Sequence, residues 1–213
     1  MIKKDKCMVA YEKYILEFAM EVSNSKVLDI GCGNGNYTKI FNINNNEVYG
    51  VDINDFRTDQ FKNDFKFLQY DGSRLPFNDG YFEVIVSFDV IEHVEDDENF
   101  VREIRRVLKK NGKLLIATPN RNRFSNLLYK FIGKPIKYPL TLSDDGILGK
   151  LIHIREYTNK ELHNLFFRCG FDDIIVDNFW VGLRGEVNLG VNRFFIKSIS
   201  QYLFLKNNLE KKL

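Results

Sequence analysis

The chain predicts an α/β fold: a mostly parallel sheet with helices on both faces. Three observations carry this. Short apolar runs alternate with amphipathic or polar segments five times before Pro119, the pattern of strand–helix units wound in one sense. The runs around Val84 to Val86 and Leu114 to Ala117 are apolar at consecutive positions, as befits strands buried on both faces. The first run, Val27 to Ile30, passes directly into Gly31, Gly33 and Gly35. Glycine at every second position permits a tight turn and lets a ligand lie against bare backbone.

Taken in order, Val9 to Val22 places Tyr11, Tyr14, Ile15, Phe18, Ala19 and Val22 at helical spacing. Val27 to Ile30 reads as the first strand, followed after the glycine turn by a helix near Gly35 to Phe41 and a polar loop, Asn42 to Asn46. Glu47 to Asp52 reads as a second strand ending on an acid, Asn54 to Lys62 as a short helix, and Phe65 to Tyr70 as a third strand ending at Asp71. Tyr81 to Phe88 is a fourth strand, Asp96 to Lys109 a helix stopped by Asn111-Gly112, and Lys113 to Thr118 a fifth strand halted by Pro119.

Arg121 to Ile154 breaks this rhythm and reads as an insertion or lid, with a helix at Phe124 to Ile132. Thr158 with Glu161 forms a capping-box signature for a helix to Arg168, and Ile174 to Val176 is a sixth strand. Residues 188–213 form an amphipathic segment, read either as a helix with Val191, Phe195, Ile199, Tyr202 and Leu209 on one face or as containing a seventh strand at Arg193 to Ile199.

With 213 residues the chain is long enough for one well-cored domain and short for two. A formal net charge of +2 gives no electrostatic case for nucleic acid. Three widely spaced cysteines, Cys7, Cys32 and Cys169, argue against a disulfide framework and for a reducing, cytoplasmic setting. No signal peptide and no run of membrane-spanning length is evident.

Three acids fall at or near the carboxyl ends of the first three strands: Asp29, Asp52 and Asp71. Ligands of open α/β sheets bind at that edge. An acid after the second strand can accept both hydroxyls of a ribose, and one after the third can accept an adenine amine beside the Gly72 N–H. Cys32 reads from its surroundings as a small packing residue.

The stretches Val27 to Gly35, Val51-Asp52, Asp71 to Phe77 (DGSRLPF), Phe88 to Val94 (FDVIEHV), Arg106 to Gly112 and His153 to Thr158 together resemble the class I methyltransferases that use S-adenosylmethionine, nearest to the quinone-biosynthesis group. The resemblance spans roughly Tyr11 to Val176. It implies a Rossmann-like, seven-stranded α/β/α sandwich and S-adenosylmethionine as cofactor, with S-adenosylhomocysteine as product. It also implies roles for residues. Gly31, Gly33 and Gly35 meet the methionine and ribose part, with Cys32 among them. Asp29 sits near the ammonium, Asp52 takes the ribose hydroxyls with Ile53 beside it, and Asp71, Gly72 and Ser73 take adenine. The Ser87-Phe88 backbone faces the amino-acid end, and Tyr11 covers the cofactor.

The expected reaction is in-line methyl transfer, O- or N-directed, to a small-molecule or lipid- or sugar-linked acceptor. A base is needed only where the acceptor carries a proton of high pKa. His93 and His153 are the candidates, each with a bland alternative as a loop-ordering residue. Glu92 and His93 could ligate a metal, but the sequence offers no evident third ligand, so none is expected. The apolar and basic lid reads either as an ordinary amphipathic helix against the core or as the mouth for an apolar or lipid-linked anionic acceptor, docking on a membrane surface together with the C-terminal segment. Two other classes compete. A nicotinamide-dependent oxidoreductase shares the strand–glycine–acid order, though its spacing is Gly-x-Gly-x-x-Gly. A catalytically silent cofactor-binding protein would keep every motif.

Overall fold

The computed structural model of the protein describes residues 6–144, 150–179 and 202–207. Helix α1 (Lys6–Met20) precedes β1 (Lys26–Ile30), β2 (Glu47–Asp52), β3 (Lys66–Gln69) and β4 (Phe82–Phe88). Then come α2 (Asp97–Val107), β5 (Leu108–Pro119), α3 (Phe124–Phe131), β6 (Leu140–Asp144), β7 (Lys150–His153), α4 (Asn159–Arg168), β8 (Ile174–Phe179) and β9 (Tyr202–Asn207).

The main sheet runs β3-β2-β1-β4-β5-β9-β8. β3 to β5 are parallel, and β9 is antiparallel to both its neighbours. The chain leaves β3 at one edge and re-enters beside β1, so the strand order reverses between β1 and β4. A crevice for ligands opens at the carboxyl ends of strands at such a reversal.

Side-chain alternation builds a core on each face. One face collects Leu28, Ile30, Ile85, Leu114 and Ile116 with Phe100 and Ile104 of α2 and Leu162 and Phe166 of α4. The other collects Val27, Val84, Val86, Leu115 and Ala117 with Tyr11, Ile15 and Phe18 of α1. Asp29 shares the second face with Val27, which is why a carboxyl lies inside the sandwich at 2% exposure.

Two expected helices are shorter than their patterns suggest. The segment after the glycine turn is a four-residue 3-10 turn, Thr38–Phe41, and Asn54 to Lys62 contributes only Asp59–Phe61. The asparagines that follow the first explain its length. Asn44 and Asn45 take left-handed backbone at φ 53° and 60°. The Asn46 amide donates to the carbonyls of Val22 and Phe41, both at 3.2 Å. Side chains that satisfy backbone groups in this way compete with helix continuation.

α2 ends at Val107, and β5 begins at Leu108 with a register shift opposite Phe82 and Val84. The Thr158–Glu161 capping box is formed at the start of α4. The seventh strand is Tyr202–Asn207, lying between β5 and β8. The alternative at Arg193 to Ile199 falls outside the described residues. The segment read as a lid holds α3 and a separate hairpin of β6 and β7.

Candidate active site

The glycine turn closes on β2. Gly31 and Cys32 donate to the Val51 carbonyl at 2.8 and 3.1 Å, and Gly33 N–H donates to Asp52 Oδ2 at 2.8 Å. The other Asp52 oxygen accepts from Ile53 N–H at 2.8 Å. Burial raises the Asp52 carboxyl against these backbone bonds. The strand-end carboxylate is therefore locked in orientation before any ligand arrives.

Gly31, at φ +77°, has no room for a side chain: a Cβ would lie 2.2 Å from Val90 Cγ2. Gly33, at φ +49°, faces open space, with nothing within 4 Å of the position a Cβ would take. Cys32 is buried, and its sulfur would meet a Cβ on Gly50 at 2.9 Å. Burial raises its thiol pKa strongly. It is a packing residue.

Asp29 Oδ2 accepts from the Thr38 hydroxyl at 2.6 Å, whereas the buried Oδ1 has no hydrogen-bond partner among the described residues. Burial pushes this carboxyl up to about 7. A buried acceptor without a donor is costly, and a cationic donor such as an ammonium would satisfy it. Ser87 spends its hydroxyl on the Ile30 carbonyl at 2.8 Å, tying the ends of β1 and β4 together. Phe88 and Tyr37 pack edge-on at 5.6 Å, and the Tyr11 ring sits 5.5 Å from Tyr37.

Asp71 is exposed, and its Oδ1 accepts from the Ser73 backbone and hydroxyl at 2.9 and 2.7 Å. Those bonds hold the carboxyl below the usual range. Gly72, at φ +84°, has Ile53 Cγ2 3.8 Å from its would-be Cβ, and Ile53 is 54% exposed. An apolar surface thus stands beside the Asp71 turn. All the cofactor contacts expected on the strands lie at the carboxyl edge of β1 to β4, with Tyr11 laid over them from α1.

The two histidines expected to serve the acceptor side meet, with ring centroids 4.9 Å apart. His93 ends a 3-10 turn after β4, and His153 ends β7. Backbone bonds from Ile154 and Arg155 N–H to the Glu92 carbonyl, 2.9 and 3.4 Å, join these distant segments. His93 Nδ1 faces the Ile152 carbonyl at 2.8 Å, and burial lowers its pKa. His153 Nδ1 lies 3.0 Å from Glu156 Oε1. Glu156 is itself buried and held by Arg123 and by Asn126 at 3.1 Å. Burial opposes its ionisation, but the bonds from His153, Tyr138 and Arg123 outweigh it and hold the carboxyl low.

Glu92, fully buried, accepts from Thr118 at 2.8 Å through Oε2; Oε1 has no hydrogen-bond partner among the described residues and lies 4.0 Å from His93 Nε2 and 3.9 Å from His153 Nε2. The pair left without a third candidate ligand by its sequence neighbours therefore has one, His153, and these three side chains form a possible cation cluster.

Sequence reasoning also missed Asp89. Its Oδ2 accepts from Tyr11 at 3.2 Å, its Oδ1 is buried without a partner, and burial pushes its carboxyl up to about 6. Its left-handed backbone, φ 57°, turns the chain at the end of β4. The available signal was its place in Phe88-Asp89-Val90-Ile91-Glu92-His93.

Residues 28–116 match the family model described as a methyltransferase domain. Over this stretch the chain is similar to class I S-adenosylmethionine-dependent methyltransferases. Among its relatives is a protein of Mycobacterium tuberculosis named a probable S-adenosylmethionine-dependent methyltransferase. It is 30% identical over 161 residues, covering 74% of this chain and 53% of the relative. The chain thus spans about half that protein's length. A ubiquinone biosynthesis O-methyltransferase of Coxiella burnetii is 28% identical over 160 residues, covering 68% and 64%. In fold, a SAM dependent methyltransferase from Archaeoglobus fulgidus superposes with a TM-score of 0.66 at 17% identity, over 94% of this chain and 93% of that one. S-adenosylmethionine is the cofactor named for these relatives, and the Asp29 oxygen without a partner among the described residues and the open face of Gly33 fit it.

Proposed function

We propose that the protein transfers a methyl group from S-adenosylmethionine to a small-molecule acceptor, on oxygen or nitrogen. The carrying observation is the Asp52 carboxylate, pinned by Gly33 and Ile53 N–H at the edge where β1 and β4 part. When bound, the cofactor supplies an electrophilic methyl on a sulfonium. Asp52 accepts the ribose hydroxyls, Asp29 Oδ1 accepts from the ammonium, and Asp71 with Gly72 and Ile53 holds adenine. Gly31, Gly33 and Gly35 keep the backbone close to the ligand. Ser87 and Phe88 shape its amino-acid end, and Tyr11 with Tyr37 excludes water.

On the acceptor side, Glu156 keeps a proton on His153 Nδ1, and the Ile152 carbonyl keeps one on His93 Nδ1. Both Nε2 atoms are then free to take the proton of an alcohol, phenol or amine. The acceptor's remainder is assigned to the segment at 120–155, read as a lid within a single domain spanning 1–213. There a cleft is lined by Arg121, Asn126, Leu127, Lys130, Ile136 and Tyr138. Its mixture of apolar and basic groups suits an anionic, lipid- or sugar-linked molecule. No described helix is long and apolar enough to cross a membrane; the exposed Phe131 and Ile132 on α3 suit contact with a membrane surface.

Titration calorimetry with S-adenosylmethionine and with NAD tests the cofactor assignment. Binding of the first alone is expected, and Asp52→Ala is expected to weaken it by about 1–3 kcal/mol, as for leaving hydroxyls unpaired. Binding of NAD alone, or an unchanged affinity in the variant, would overturn it. Transfer of labelled methyl groups into acceptors of a cell extract separates an active enzyme from a silent binding protein.

A further inference from the structure

The three atoms that converge behind the methyl-transfer crevice, Glu92 Oε1, His93 Nε2 and His153 Nε2, all face one another as acceptors. Each imidazole has its other nitrogen committed. A carbonyl oxygen can face only an N–H, so His93 carries its proton on Nδ1, opposite Ile152 at 2.8 Å. Glu156 is ion-paired with Arg123, so the His153 nitrogen 3.0 Å from it is likewise the protonated Nδ1. Glu92 has committed Oε2 to the Thr118 hydroxyl at 2.8 Å. What remains are two imidazole lone pairs and one carboxylate oxygen.

The separations of 4.0 and 3.9 Å between that oxygen and the two Nε2 atoms are too long for hydrogen bonds. They are close to the spacing of ligands around one ion. Each of the three residues offers a ligand atom within 4.8 Å of those of the other two. Inward movement of each by about half an ångström reaches the roughly 2.0–2.2 Å of metal–nitrogen and metal–oxygen bonds. Glu92 is completely buried and its Oε1 has no hydrogen-bond partner among the described residues. Asp89, whose buried Oδ1 is also without one, adds negative potential nearby.

The surroundings are those of a held ligand set. Imidazoles that bind metals donate their other N–H to a carboxylate or a backbone carbonyl, which fixes ring orientation and tautomer. His153 uses the first and His93 the second. The Ile154–Glu92 backbone bond of 2.9 Å clamps the two segments that carry the ligands.

We propose that Glu92, His93 and His153 bind one divalent first-row transition ion, such as zinc, manganese or ferrous iron. Two nitrogens and one oxygen favour these over magnesium or calcium, which prefer all-oxygen sets. Three protein ligands leave coordination positions open, as in catalytic sites. On the proposed methyl transfer, on which this part rests, an acceptor hydroxyl or vicinal pair of oxygens would occupy them; with both Nε2 lone pairs on the ion, the ion would replace the imidazole bases proposed above by lowering the pKa of the attacking oxygen, whose proton would pass to water.

The test uses the full chain, stripped with a chelator and titrated with cobalt(II), whose visible absorption reports nitrogen and oxygen ligation independently of any methyl transfer. One cobalt per chain is expected, displaced by zinc. Glu92→Gln retains the acceptor for Thr118, and His93→Gln alters a half-buried ring; each is expected to weaken cobalt binding at least tenfold with an unchanged circular dichroism spectrum. No cobalt-dependent absorption in the unaltered chain, or unaltered affinity in both variants, would overturn the site. Titration with S-adenosylmethionine is run on the same protein. Cofactor binding without cobalt binding refutes the metal site alone. Cobalt binding without cofactor binding supports the metal site and refutes the methyl-transfer reading.

Discussion

At the scale of single residues, the site depends on groups placed where their own chemistry is unfavourable. Asp29 is the clearest. Burial lifts its carboxyl from an ordinary 3.8 to about 7, so the folded state holds a proton that the unfolded chain has released. Its contribution to stability is therefore present at low pH and lost as pH rises through about 7. In urea unfolding, Asp29→Asn should gain on the unaltered protein as pH rises from about 4 to about 7, with the difference flat above that range. A pH-independent difference would mean that the carboxyl is not desolvated. Gly31 is the second such residue. Gly31→Ala places a Cβ against Val90 and imposes a left-handed backbone on alanine. The backbone alone costs about 1–2 kcal/mol. Val90→Ala should recover the steric part only, so a double-mutant cycle read by chemical denaturation should show partial rescue. Full rescue or none would contradict the dual origin of the penalty.

Among the secondary-structure elements, those with strong local signals were legible and those decided by distant contacts were not. β1, β2 and β4 stand out because burial on both faces leaves consecutive apolar residues. α4 stands out because Thr158 and Glu161 meet at capping-box spacing. That box should be measurable: Thr158→Ala is expected to lower stability by about 1 kcal/mol, read by thermal or urea unfolding. No change would mean that the Glu161 side chain alone caps the helix. The 3-10 turn after Gly35 was hidden because asparagine side chains bonding to Val22 and Phe41 across the chain shorten it. The same holds at the site. The glycine turn and Asp52 are local and readable. The meeting of His93 with His153 depends on hydrogen bonds between segments about sixty residues apart, from Ile154 and Arg155 N–H to the Glu92 carbonyl and between His93 and the Ile152 carbonyl, and no local pattern announces it.

For the molecule as a whole, the strand reversal between β1 and β4 divides the labour. The proposed cofactor contacts gather at the ends of β1 to β4, whereas the proposed acceptor-side residues come from the turn after β4 and the end of β7. The two halves meet at Phe88-Asp89, where Tyr11 reaches over from α1. Beyond them Phe131 (89% exposed) at the end of α3 and Ile132 (55%) just after it face outward, in a stretch that also carries Lys130 and Lys134. An amphipathic, basic helix of this kind favours anionic interfaces. Co-sedimentation with anionic vesicles at low salt should exceed that with neutral ones several-fold, and Phe131→Glu should reduce it to the neutral level. Equal sedimentation with both vesicle types would remove the membrane assignment and leave the active site untouched.

The position of β9 bears on how the chain can be made. Among the described residues β8 hydrogen-bonds to the sheet only through β9, and β9 is the later of the two in sequence. Until residues 202–207 emerge from the ribosome, the rim of β5 has no neighbour and β8 has no strand to join. Both are then unpaired edges of the kind that template aggregation. The nascent protein therefore passes through a stage in which the far rim of its sheet is open.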